Sequence, residues 1–215
     1  MARLKTIYIH CLDTPIDMIV KAKNIYKWHM SPKYDRITDT YTFLGVKEIK
    51  PNELNMENQI IIDKWKSIID KHNLIARTVL LSELLIGPGN GWSVVGYRAF
   101  IPQNGELKYL WENNEDGFID SDEITNSVRG FNSKSISYGL TGGYNLNTRE
   151  RYPEKDKLWH YSEVMKPQQQ EILAEELRRF ITNIGYRPGI KGHYQDSDKT
   201  CPNFNVDEFV KDYKL

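Results

Sequence analysis

The sequence is short of cysteine, of net charge and of long apolar runs. Among 215 residues there are two cysteines, Cys11 and Cys201, too few for the disulfide framework that holds small secreted domains together. Lysine plus arginine equals aspartate plus glutamate at 29 each, so the formal net charge is zero. A chain with no excess of either sign has no long-range pull toward nucleic acid or an anionic membrane. No stretch approaches the roughly 20 apolar residues that span a bilayer. The opening "MARLKTIYIHCLDTPID" has a short basic start but no apolar run of signal-peptide length. The expectation is a protein made in a cytoplasm, with no nucleic-acid partner and no membrane insertion.

What is present suits a packed domain. Hydrophobic residues make up 40 % of the chain and aromatic ones 12 %, enough for a core and too much for a disordered segment. "KTIYIHC" alternates and reads as a strand ending at His10, with Ile7 and Ile9 on one side and Tyr8 on the other. "DTPIDMIVKAKNIYKWH" reads as a helix, with Thr14 as N-cap, Pro15 in the first helical position and Asp17 completing a capping box. Its buried stripe is Ile19, Ala22, Ile25 and Tyr26. Residues 31–51 are polar and read as irregular. Residues 53–72 form a second helix, with Ile61, Trp65, Ile68 and Ile69 on one face. "LIARTVLLSELLIG", residues 74–87, fits a helix or a mixed segment, and "GPGNG" is a turn cluster.

"WSVVGYRAFIPQNGELKYLW" reads as a hairpin around Asn-Gly. "SKSISYGLTGG" is a further strand, closed by two glycines. "PQQQEILAEELRRFITNIG" is the clearest helix: Pro167 opens it, Leu173, Leu177, Phe180, Ile181 and Ile184 line it, and Gly185 caps it. "NVDEFVKDYKL" ends the chain as a short helix. Strands mixed with helices, without repeats or a low-complexity linker, predict one α/β domain over residues 1–215.

The chemistry concentrates in "KGHYQDSDKTCPNF", residues 191–204. His193 and Cys201 are metal-ligand types, and a catalytic zinc site needs three protein ligands with one position left open. His10, at the end of a strand, is the best third candidate. On the residues alone the alternatives stay open. Cys201 also fits a buried small hydrophobe and His193 a surface residue. A Cys11–Cys201 bond is a further reading, against which a cytoplasmic origin counts. Lys199, two before the cysteine, projects to the same side of an extended loop. It fits either a solvated lysine or a cation that steadies negative charge on a carbonyl oxygen.

Five pieces match a known family in order: "YIHCLDTP", "YKWH", "GWSVVGYRAFI", "FNSKSISYGLTGG" and "GHYQDSDKTCPNF". Over residues 6–29 and 91–204 the chain resembles the zinc-dependent N-acetylmuramoyl-L-alanine amidases of the bacteriophage T7 lysozyme type, whose fold the peptidoglycan recognition proteins share. The resemblance implies a mixed central β-sheet flanked by helices, with Zn2+ in a groove on one side. Carried over, His10, His193 and Cys201 would be the zinc ligands, and Tyr97 and Lys199 the catalytic pair. His29 would support the fold or the groove. The implied reaction is hydrolysis of the amide between N-acetylmuramic acid and L-alanine of peptidoglycan by a phage endolysin. Such an enzyme would be made in the infected cell and act on the cell wall after release.

Four departures stand out. Arg98 and Ser127 occupy positions where the family has histidines, which would touch substrate contacts or proton handling. Tyr138 lengthens the "SIGI" run of the family. Between "WH" and "GW" the chain inserts Met30–Asn90, a largely helical insertion after the first helix, expected either to pack on the sheet edge or to form a wall, a lid or a protein-partner surface. Residues 144–166 form a second polar and aromatic segment, expected as a loop over the groove with His160 at the surface. The alternative function is a non-catalytic peptidoglycan binder or a polymerase-regulating protein on the same fold.

Overall fold

The computed structural model describes residues 1–15, 17–71, 79–154 and 157–215. In chain order the elements are β1 (Ala2–Arg3), β2 (Thr6–Cys11), α1 (Ala22–Met30), β3 (Lys33–Asp35), β4 (Thr40–Phe43), β5 (Val46–Ile49), α2 (Gln59–Lys71) and α3 (Leu81–Leu84). There follow β6 (Ala99–Ile101), β7 (Lys108–Tyr109), β8 (Phe118–Ile119), β9 (Ser135–Leu140), α4 (Pro167–Ile184), β10 (Gly189–Gly192) and α5 (Val206–Asp212). The chain divides into two compact units. The first holds Met1–Ile19, Tyr97–Tyr109 and Asn113–Leu215, and the second Val20–Gly96 with Leu110–Glu112.

The first unit is built on a five-stranded mixed sheet in the order β10-β2-β9-β6-β7. Its four leading strands run parallel, and β7 returns antiparallel on β6 across the turn that Asn-Gly predicts. There the Gly105 N–H closes on the Pro102 carbonyl, with φ of +80° at the glycine. The register sorts the side chains of β2 and β9. Ile7 stands beside Ile136 and Ile9 beside Tyr138, and these join one apolar core with Ala99, Ile101 and Ile190. Leu173, Ala174, Leu177, Phe180 and Ile184, spaced as one helical stripe of α4, complete that core. Gly185 ends α4 in the left-handed conformation at φ +76°, where its N–H caps the last turn. Tyr8 and His10 alternate to the opposite face, beside Ser137 and Gly139.

The second unit carries α1, α2 and α3 with a three-stranded antiparallel sheet, β3-β4-β5. Residues 31–51 are therefore largely strands and not irregular, and the insertion is mixed rather than helical. The β4–β5 connection explains why this was hidden: Phe43 pairs with Val46 across Leu44 and Gly45, both at positive φ. That is the backbone of a tight primed turn, with leucine where Asn or Asp is the usual signal. On α2, Ile61, Trp65 and Ile68 are buried as the periodicity predicts, whereas Ile69 is half-buried. Of the apolar segment 74–87, residues 74–78 lie outside the described residues, and α3 accounts for Leu81–Leu84. His72, at the end of the expected second helix, also lies outside them.

The first helix starts later than its capping signals suggest. Thr14 does not cap it: its hydroxyl accepts the Gly142 N–H at 2.8 Å, and Thr14 bridges to Gly143. Asp17 pairs instead with Arg149. The cap is Lys21, whose N–H donates to the Asn24 side chain. Ile19, expected in the buried stripe, is exposed, while Ile25 and Tyr26 are buried. A capping signature is local, and a backbone partner elsewhere in the fold took its threonine.

Candidate metal centre

Three segments of the first unit bring the candidate ligands together. His10 comes from β2. His193 begins the 3-10 turn His193–Asp196 that directly follows β10, the neighbour of β2 in the sheet. Cys201 lies in the loop after that turn. The loop is pinned from several sides. The Tyr194 N–H donates to the Cys201 carbonyl, the Ser197 hydroxyl to the His193 carbonyl, and the Asn203 amide to the Gly143 and Arg151 carbonyls. Gly143 is required there. It has φ of +110°, and a Cβ on it would lie 2.7 Å from the Cys11 sulfur.

The donor atoms of His10, His193 and Cys201 all lie within 4.8 Å of one another. Among the described residues this is the one group of three or more histidine, cysteine or acidic side chains close enough to share an ion. Both imidazoles are buried, with His10 3 % and His193 8 % exposed. Their ring centroids are 4.6 Å apart. His10 turns Nδ1 toward the Cys201 sulfur, at 3.7 Å, and Nε2 toward the Ser127 hydroxyl, at 2.7 Å.

The electrostatics favour a ligand-ready state. Burial pushes the His10 pKa below its ordinary value, against the pull of the Cys201 sulfur, so the ring is neutral at pH 7. Both cysteines are free thiols, with their sulfurs 3.9 Å apart. Of the two, Cys201 ionises first. The Cys11 S–H donates to its sulfur, and His10 and His193 add to that effect against the cost of burial. Cys11 is raised in turn by donating that bond and by burial. The Cys11 N–H also donates to the Cys201 sulfur at 3.3 Å. The donor set is thus two imidazoles, that of His10 held neutral by burial, and a thiol held toward thiolate, which fits a borderline-soft divalent ion.

Tyr97 and Lys199 border this cluster. Tyr97 lies just before β6, with its ring centroid 5.3 Å from that of His10. Gly139 leaves room for it, since a Cβ there would come 3.0 Å from the Tyr97 ring. Burial raises the Tyr97 pKa, so its phenol is protonated at neutral pH. Lys199 is exposed in the loop, close enough for its charge to disfavour protonation of His10.

Two of the departures resolve differently. Arg98 projects away from this site. Its guanidinium lies over the Phe180 and Tyr109 rings and pairs with Glu115. It therefore supports the apolar side of the sheet and does not alter the groove. Ser127 does reach the site, through His10. His29 belongs to the second unit, where it accepts the Gly96 N–H at 3.0 Å and stacks on Trp92. His160 is exposed and caps a short turn at Tyr161–Glu163. Trp159 ties its segment to the cysteine loop: its N–H donates to the Asn203 carbonyl, and its carbonyl accepts from the Asn205 N–H. Sequence reasoning passed over Ser137. A serine in the interior of a fully buried strand, between Ile136 and Tyr138, was the available signal.

The chain is similar in sequence to the endolysin of Enterobacteria phage K11, with 26 % identity over 125 residues, covering 58 % of this chain and 70 % of that protein. In structure it is similar to the N-acetylmuramoyl-L-alanine amidase LysC from Clostridium intestinale URNW. That match has a TM-score of 0.50 and 13 % identity and covers 100 % of this chain and 87 % of the other. A second structural match is the Ph2119 endolysin from the Thermus scotoductus MAT2119 bacteriophage Ph2119, with TM-score 0.48 and 12 % identity over 98 % of this chain and 85 % of that one. No protein-family profile matches the chain. At 13 % identity the likeness to LysC is one of fold, and it agrees with the mixed sheet flanked by helices.

Proposed function

We propose, taking as premise that the chain has the fold of the N-acetylmuramoyl-L-alanine amidases and a phage endolysin as its sequence relative, that it is a zinc-dependent amidase of phage lysis. It cleaves the amide between N-acetylmuramic acid and the L-alanine of the peptidoglycan stem peptide, after release to the cell wall. No described helix is long and apolar enough to cross a membrane. The observation that most supports the reading is the convergence of the His10, His193 and Cys201 donors within 4.8 Å. Two histidines and one cysteine, with a fourth position left to water or substrate, is a known catalytic zinc set.

Bound by these three residues, zinc supplies Lewis acidity and lowers the pKa of a coordinated water to about 7. The chain's own residues do the rest. His10, held neutral by burial, His193 and Cys201, pushed toward its thiolate, would hold the ion. The Tyr97 hydroxyl, on the ring beside His10, orients the attacking water and assists proton transfer. The Lys199 ammonium, in its exposed loop, steadies the negative charge that develops on the scissile carbonyl oxygen. The remaining walls must seat a glycan strand and a short peptide, and a neutral net charge does not repel either.

Mass spectrometry of digested peptidoglycan tests the reaction directly. The expected products are free stem peptides that begin with L-alanine, together with intact glycan strands. Undigested wall with bound protein would make the chain a peptidoglycan binder, and cleavage within the glycan would assign a different bond.

A further inference from the structure

The site contains a hydroxyl pair that neither the ligand set nor the catalytic pair uses. The Ser127 hydroxyl lies 2.7 Å from His10 Nε2, and the Ser137 hydroxyl donates to the Ser127 oxygen at 2.5 Å. Ser137 is fully buried on β9, in register with Tyr8 of β2. Ser127 is held by its own backbone: the N–H groups of Ser127 and Val128 both donate to the Asn132 side-chain oxygen, at 3.0 and 2.8 Å. A loop serine with a fixed backbone and a second serine behind it thus meets the ring nitrogen that faces away from Cys201.

We propose that Ser127, backed by Ser137, is the positioning residue that aims His10 Nδ1 at the metal. This rests on the amidase reading above. An imidazole can ligate through one nitrogen only if that nitrogen carries the lone pair, so the ring proton then sits on the other. With the ion on Nδ1, the proton is on Nε2, and the Ser127 oxygen accepts it while also accepting from Ser137. Without the ion, the same hydroxyl can donate to Nε2. A hydroxyl does both without moving, because it is at once donor and acceptor. The pair therefore holds the ring at one angle in either tautomer, and ordering of His10 is complete before the ion arrives. The chain achieves this with serine where the family it resembles has a histidine.

The experiment is zinc titration of the chelator-stripped full chain in competition with a chromophoric chelator, with nitrogen NMR of the His10 ring in the zinc-loaded state. In the wild type, His10 should show an exchange-protected Nε2–H. Ser127→Ala should weaken zinc binding by about 10–100-fold, the usual cost of losing a ligand's orienting partner. It should also lose the protected Nε2–H signal while keeping the metal-free melting temperature. Ser127→Thr should restore both readouts. Ser137→Ala should give a smaller loss in the same direction, and it carries the test if Ser127→Ala melts early. Wild-type affinity together with a protected Nε2–H in Ser127→Ala would overturn the positioning role, and so would an equal loss in Ser127→Thr. A wild type that takes up no zinc would instead overturn the amidase reading and this inference with it.

Discussion

Two polar clusters lie on opposite faces of the same sheet, and they differ in how they are balanced. On the α4 side, Arg98 and Arg179 meet Glu115 and Glu176, and the carboxylates also accept from Tyr109, Tyr138 and Asn183. Two guanidinium groups face two carboxylates within the cluster, so its charges balance without a further ion. On the other face, His10, His193 and Cys201 bring lone pairs to one place, with the thiol pushed toward its anion and the imidazole of His10 kept neutral. That cluster carries no cation of its own to match its lone pairs. A self-neutralised network is what structure calls for, and a convergent set of donors is what a metal calls for. The two clusters therefore have different uses, and substitutions in each should move different observables.

The sharpest break in that contrast comes from Cys201→Ser. It should abolish zinc uptake and cell-wall lysis while leaving the metal-free fold intact, as measured by metal analysis, turbidity clearing and circular dichroism. Retained metal with full lysis would remove the site. Next in size, Lys199→Ala should lower turnover by about 10²–10³ at unchanged zinc content, the typical cost of one oxyanion donor. Tyr97→Phe should also lose most turnover while keeping its zinc. Steady-state rates on purified wall, beside metal analysis, decide this.

The opposite cluster should respond in the opposite way. Glu115→Ala leaves the 4 %-exposed Arg98 without its carboxylate. Chemical denaturation should reveal a loss of about 3–5 kcal/mol, with zinc affinity unchanged. A smaller effect is expected from pH. Burial alone would raise the Glu115 pKa, but hydrogen bonds from Arg179, Asn183 and Arg98 outweigh it and hold the carboxyl at about 2. The folded value lies below the unfolded one, near 4.3. Its contribution is therefore complete above about pH 4.3 and is lost as pH falls toward 2. Denaturation midpoints measured across that window should drop on acidification, and Glu115→Gln should flatten the slope.

Much of this arrangement was legible in the sequence because it is written in local patterns. The alternation in "TIYIHC" separated the core side of β2 from the site side, and the α4 stripe with Pro167 and Gly185 marked that helix to the residue. Other features depend on partners far along the chain. Thr14 looked like a cap until Gly142, 128 positions away, took its hydroxyl. Arg98 looked like a groove residue, but just before β6 its guanidinium lies over Phe180 and pairs with Glu115. Ser127 and Ser137 carry no motif, and only the fold brings them to His10. The β4–β5 turn was missed because Leu44 adopts a positive φ that leucine seldom signals.

The most direct test of the central claim is the absorption spectrum of the cobalt-substituted protein. A site made of His10, His193 and Cys201 predicts a thiolate-to-cobalt charge-transfer band that saturates at about one ion per chain and disappears in Cys201→Ser. A spectrum without that band, or one unchanged by the substitution, would mean that the three side chains do not hold an ion together.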